Sequence, residues 1–108
     1  MLQVGRNEEA RTEALLTIKL DPNFPQAYYN LANSFALKGE LAQAIQNYRK
    51  AVQFKPDYPE AHYNLGVCLI KSGEKLLAVT QFREALKWRP DYQEARAQLD
   101  ILDRESQR

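Results

Sequence analysis

One segment of this chain is written twice at a spacing of 34 residues. Residues 25–58 and 59–92 superpose without a gap, 13 of the 34 positions are identical, and a third copy begins at Gln93 and stops half-way. Pro25-Gln-Ala-Tyr-Tyr-Asn-Leu-Ala32 answers Pro59-Glu-Ala-His-Tyr-Asn-Leu-Gly66, and Phe54-Lys-Pro-Asp-Tyr58 answers Trp88-Arg-Pro-Asp-Tyr92. A unit this short does not bury its own apolar face, so the units must stack on one another into an array with a long exposed surface.

Apolar residues within each unit fall at helical spacing. Tyr28, Leu31, Ala32 and Phe35 recur at i, i+3, i+4, i+7, as do His62, Leu65, Gly66 and Leu69. A second stripe follows in each unit, Ala44, Tyr48, Ala51, Val52 and then Ala78, Phe82, Ala85, Leu86. Gly39 and Gly73 sit between the stripes, where glycine closes a helix in the left-handed conformation and reverses the chain. Each unit is therefore a helix hairpin, stopped by Pro56 or Pro90 and started at Pro25 or Pro59, where the missing N–H is an orphan anyway. The pattern predicts helices near 6–20, 25–38, 41–54, 59–72, 75–88 and 93–105. Small Ala44, Ala51, Ala78 and Ala85 beside large Tyr48 and Phe82 predict close helix approach with alternating sizes.

These residues resemble the tetratricopeptide repeat, whose motif runs aromatic, Leu-Gly/Ala, large residue, Ala, aromatic, Ala and a closing Pro. Residues 25–58 supply Tyr28, Leu31, Ala32, Phe35, Ala44, Tyr48, Ala51 and Pro56. Residues 59–92 supply the same positions, with His62 replacing the aromatic. The resemblance implies an all-α fold, a right-handed superhelix of antiparallel helix hairpins forming a single repeat domain over 1–108. It places Gly5, Ala10, Thr17 and Pro22 in register with Gly39, Ala44, Ala51 and Pro56, so 1–24 reads as the second helix of a partial repeat and 93–108 as a polar capping helix. Trp88 occupies the position of Leu20 and Phe54, the last apolar residue before Pro, and is expected to seal the hairpin end.

Turning the first helix by 100° per residue puts Gln26, Tyr29, Asn30, Asn33, Ala36 and Leu37 opposite the core stripe, and Glu60, Tyr63, Asn64, Val67, Ile70 and Lys71 in the next unit. An outward strip is ordinarily charged, whereas this one is aromatic, amide and aliphatic. In the family that the chain resembles, first helices line a concave surface. The resemblance therefore implies a peptide- or protein-binding groove made of Gln26, Tyr29, Asn30, Asn33, Leu37, Glu60, Tyr63, Asn64, Val67 and Lys71. An amide offers donor and acceptor together, so Asn30 and Asn64, one repeat apart, are suited to clamping an extended peptide backbone. The arrangement is similar to the asparagine ladder of O-linked N-acetylglucosamine transferases, broken here at Gln98. The alternative is structural: both asparagines bonding between helices, and both tyrosines packing on neighbours. Grasping a C-terminal carboxylate in the family manner needs a groove lysine where Tyr29 and Tyr63 stand, which disfavours that use.

Other functions find little support. Fifteen Lys and Arg stand against 14 acidic residues, interspersed, which argues against nucleic acid and anionic lipid as partners. No apolar run approaches the roughly 18 residues of a membrane span and no secretory leader is evident, so a cytoplasmic location is expected. One cysteine, Cys68, and one histidine, His62, provide neither a disulfide nor a metal set, and no metal or other cofactor is expected. His62 reads as a packed core position, Cys68 as a filler, and Glu8-Glu9 as a solvated outer face. The expectation is a non-enzymatic adaptor binding a protein or peptide. Two rivals are a homo-oligomer formed through the uncovered helix bearing Leu15 and Ile18, and the recruiting arm of a larger enzyme such as a glycosyltransferase.

Overall fold

Proline opens and glycine closes the helices of the repeat. In the computed structural model, which describes residues 2–107 and the side chains from residue 5, the described residues form six helices. These are α1 (Leu2–Leu20), α2 (Pro25–Leu37), α3 (Leu41–Phe54), α4 (Pro59–Lys71), α5 (Lys75–Trp88) and α6 (Gln93–Ser106). Pro25 and Pro59 lie in the first turns of α2 and α4. Gly39 and Gly73 take φ of 75° and 83°. With φ reversed there, Glu40 N–H reaches back to the Phe35 carbonyl at 3.0 Å and Glu74 N–H to the Leu69 carbonyl at 2.8 Å, satisfying carbonyls that the helix ends leave open. At the other ends Lys55 N–H and Arg89 N–H each make a last bond, to Ala51 and Ala85 at 2.9 Å, before Pro56 and Pro90 withhold the next donor.

The helices gather into two compact units, Met1–Pro56 and Asp57–Arg108. In the first, α1 and α3 both pack on α2; in the second, α4 and α6 both pack on α5. The core of the first is Ala27, Tyr28, Leu31 and Ala32 of α2 with Ala44, Tyr48 and Ala51 of α3. The equivalent core of the second is Ala61, Leu65, Gly66 and Leu69 with Ala78, Phe82 and Ala85, closed by Ala95, Leu99 and Leu102 of α6.

Three expectations need correction, and one buried residue falls outside all of them. Helix α1 spans Leu2–Leu20 rather than starting near residue 6, and runs through Gly5, which has no positive φ to close a helix as Gly39 and Gly73 do. Trp88 does not seal its hairpin end, being 44% exposed with the Lys87 ammonium 5.1 Å from the ring centroid, and Leu20 is 86% exposed. Glu8 is not merely a solvated outer charge, because its carboxylate accepts a 2.7 Å bond from Lys38 across the α1–α2 junction. Ser34, assigned to neither stripe, is buried at that same junction.

Candidate binding surface

The α1–α2 junction is built from polar side chains rather than an apolar stripe. Asn7 Nδ2 donates to the Ser34 carbonyl at 3.4 Å, Arg11 Nε donates to Ser34 Oγ at 3.1 Å, and the Arg11 guanidinium lies 4.3 Å from the centre of the Phe35 ring. The hydrogen bond from Lys38, and then its charge, hold the Glu8 carboxyl below the ordinary carboxylate range. A lowered folded pKa means that the tie stabilises the native state above the ordinary carboxylate pKa and is lost as pH falls through the lowered value. Glu8→Gln is therefore expected to flatten the fall in melting temperature between about pH 6 and about pH 3, and the wild-type tie to weaken in high salt. Thermal melts of both proteins across that range provide the check; parallel curves would dismiss the tie.

Beside this junction lies a trough of about 480 Å³, lined by Arg6, Asn7 and Ala10 of α1 and by Asn30, Asn33 and Leu37 of α2, with Lys38 at its end. A second concavity of about 150 Å³ adjoins it, sharing Ala10 and Asn30 and reaching Ala14, Phe24 and Gln26. Four anticipated residues, Gln26, Asn30, Asn33 and Leu37, thus meet along one seam. The α1 contribution was not anticipated. Its signal is the pair of small side chains at Ala10 and Ala14, one turn apart on α1.

Tyr29 is half-buried and its ring lies 6.0 Å from that of Tyr48, whose hydroxyl donates to Asn33 Oδ1. Asn33 therefore buttresses the α2–α3 hairpin as well as lining the trough. In the second unit, Tyr63 packs between Phe82 at 5.7 Å and Tyr92 at 5.1 Å, and Glu60 pairs with Arg89 at 3.3 Å. Asn64 and Val67 are half-buried and Lys71 is exposed. The tyrosines are thus partly engaged in packing, while Asn30, Gln26, Leu37 and Lys71 point into solvent.

His62 is buried, with Nδ1 2.8 Å from Gln81 Oε1. Burial raises the Cys68 thiol pKa against the opposing charge of Lys71, which disfavours the nucleophilic thiolate. No helix of the described residues is long and apolar enough to cross a membrane.

Antiparallel helix pairs recurring at a fixed period define a helical-repeat fold. Three family models of this class match in succession: a TPR repeat over residues 32–73 and tetratricopeptide repeats over 14–46 and 59–92. The chain belongs to the tetratricopeptide repeat family.

Its fold is similar to that of MamA, at 21% identity and a TM-score of 0.88 over 97% of this chain and 61% of that one. It is also similar to the first TPR of Spaghetti (RPAP3) bound to the HSP90 peptide SRMEEVD, at 20% identity and a TM-score of 0.90 over 99% and 85% of the two chains. A third similar structure is a mutant O-GlcNAc transferase of Thermobaculum terrenum, at 26% identity and a TM-score of 0.80 over 93% of this chain. The chain spans 61% of the MamA chain and only 20% of the transferase chain. No curated protein matches it in sequence.

Proposed function

We propose that this chain is a protein-interaction module that holds a segment of a partner protein against the outward strips of α2 and α4. Gln26, Tyr29, Asn30, Asn33 and Leu37 serve in the first unit and Glu60, Tyr63, Asn64, Val67 and Lys71 in the second. The observation that carries the reading is the trough, which gathers Asn30, Asn33 and Leu37 beside an apolar floor. A fold-level neighbour with a peptide bound supports the same class of ligand. The Asn30 and Asn64 amides supply polar anchors, and the half-buried tyrosines supply rigid apolar area with a wet tip. Both tyrosines are held in place by their ring contacts, so little side-chain entropy is lost on binding.

A net hydrogen bond contributes about 1 kcal/mol, so Asn30→Ala with Asn64→Ala is expected to weaken the best ligand of a peptide library by roughly tenfold or more, without changing helicity. Equal affinity of the double variant and the parent would remove these amides from the site.

A second reading, self-association, is favoured by Leu15, Leu16 and Leu20, large apolar side chains exposed on α1. Light scattering across a concentration series tests it, and a constant monomer mass would eliminate it.

A further inference from the structure

In the second unit the Tyr63 ring is held by a chain of contacts that leaves α4 and returns to it. Tyr63 lies between Phe82 at 5.7 Å and Tyr92 at 5.1 Å, and the Arg89 guanidinium lies over the Tyr92 ring, 4.5 Å from its centre. Arg89 Nη1 then donates to Glu60 Oε2 at 3.3 Å, three residues before Tyr63 on the same helix. Tyr92 N–H donates to the Arg89 carbonyl at 3.1 Å, so a tight turn around Pro90 fixes the spacing of guanidinium and ring.

No single link is strong. An ion pair this exposed contributes little to stability, and a cation over one ring only slightly more. Their joint effect is geometric. Arg89, tied at Glu60, is kept over Tyr92, and Tyr92, 9% exposed, bounds the space in which the Tyr63 ring turns. One repeat earlier, Gln26 and Lys55 stand where Glu60 and Arg89 stand, so that pair of positions carries no opposite charges, and an ammonium has no plane to lay on a ring. The closed circuit belongs to the second unit.

We propose that Arg89 and Tyr92, neither of them on the outward strip of α4, are positioning residues for partner binding that act through Tyr63. They hold its ring, before any partner arrives, in the orientation in which it serves as a contact surface. The inference rests on the reading that the strip of α4 takes a partner segment, and it adds that the affinity of the strip is set in part by two residues that need not touch that segment. A ring already held loses less side-chain freedom on binding than a loose one, and the difference appears directly in affinity.

The test titrates the full chain, by fluorescence anisotropy, with the tightest labelled peptide selected from a random peptide library, and follows the Tyr63 side-chain couplings by NMR. Arg89→Gln is expected to weaken that peptide about threefold to tenfold and to spread Tyr63 χ1 over more than one rotamer. Arg89→Lys keeps a charge for Glu60 but no planar group, and should fall between parent and Arg89→Gln. In a Tyr63→Ala background, Arg89→Gln should change affinity by less than about twofold, because the residue through which it acts is gone. Tyr92→Phe should bind as the parent does and Tyr92→Leu should bind as weakly as Arg89→Gln. The Arg89 side chain is 47% exposed, so its variants keep the test decisive if Tyr92→Leu fails to fold. A loss from Arg89→Gln that persists without Tyr63 would make Arg89 a direct contact and overturn the positioning role. Unaltered affinity or an unaltered Tyr63 rotamer in Arg89→Gln would overturn it too. If Tyr63→Ala weakens the peptide while Arg89→Gln does not, the partner-binding reading stands and the positioning role falls. If Tyr63→Ala changes nothing, or no peptide binds at all, Tyr63 leaves the site and the inference goes with it.

Discussion

Phe82→Ala is expected to reduce the unfolding free energy by about 3–5 kcal/mol, read as a lowered denaturant midpoint at unchanged slope. Phe82 is completely buried, with the Tyr63 ring 5.7 Å away and Gly66 against its edge. Removing the ring leaves a void that α4 does not close by a small shift, because Glu60 and Tyr63 are fixed to Arg89 and Tyr92. The reciprocal change is informative. A Cβ added at Gly66 would stand 2.7 Å from Phe82 Cε1 and 2.8 Å from Cζ, so Gly66→Ala forces the ring aside and is expected to cost roughly 1–3 kcal/mol, even though alanine favours helix. Phe82→Leu makes room for that methyl. The double variant Gly66→Ala with Phe82→Leu should be more stable than the sum of the two single effects predicts. Strict additivity, or a Gly66→Ala protein as stable as the parent, would show that the helices do not approach as described.

The second large effect belongs to the alanines. Ala44 and Ala78 have no exposed surface, and each stands one turn before the buried ring of Tyr48 or Phe82. Leucine at either position adds three carbons where the facing helix leaves no space, with an expected loss of roughly 1–3 kcal/mol. Ala97 of α6 is exposed, so Ala97→Leu should alter stability by less than about 0.5 kcal/mol. Chemical denaturation of the three variants side by side separates the overpacking cost from any general effect of leucine. A uniform response would refute it.

The function inferred for this chain depends on the same geometry. Close approach of α2 to α3, and of α4 to α5, keeps the rings of Tyr29 and Tyr63 at the edge of the hairpins, neither swallowed nor free. A half-buried tyrosine is a rigid contact surface. The trough beside α1 gains its polar lining because Asn7, Arg11 and Ser34 bond one another instead of meeting through apolar side chains.

The 34-residue period was legible in full, and with it the hairpins, the glycine closures and the motif stripes, because each is set by local rules: helical periodicity, the conformational freedom of glycine and the missing N–H of proline. Less legible was the candidate surface. A helical wheel assigns a residue to one side or the other, but Tyr29, Asn33 and Tyr63 lie at seams, where a long ring or an amide reaches a neighbouring helix and faces solvent at once. The tie of Glu8 and the burial of Ser34 went unseen for the same reason, since their partners, Lys38 on one side and Asn7 and Arg11 on the other, are between 23 and 30 residues distant in the chain. Local sequence thus determined which residues form helices and where the chain turns, since those energies are fixed within a few residues. Only the tertiary structure decided that Ala10 and Ala14 floor a trough and that Phe24 is left partly uncovered, because space between helices is a property of what packs there, and no single stretch of sequence contains it.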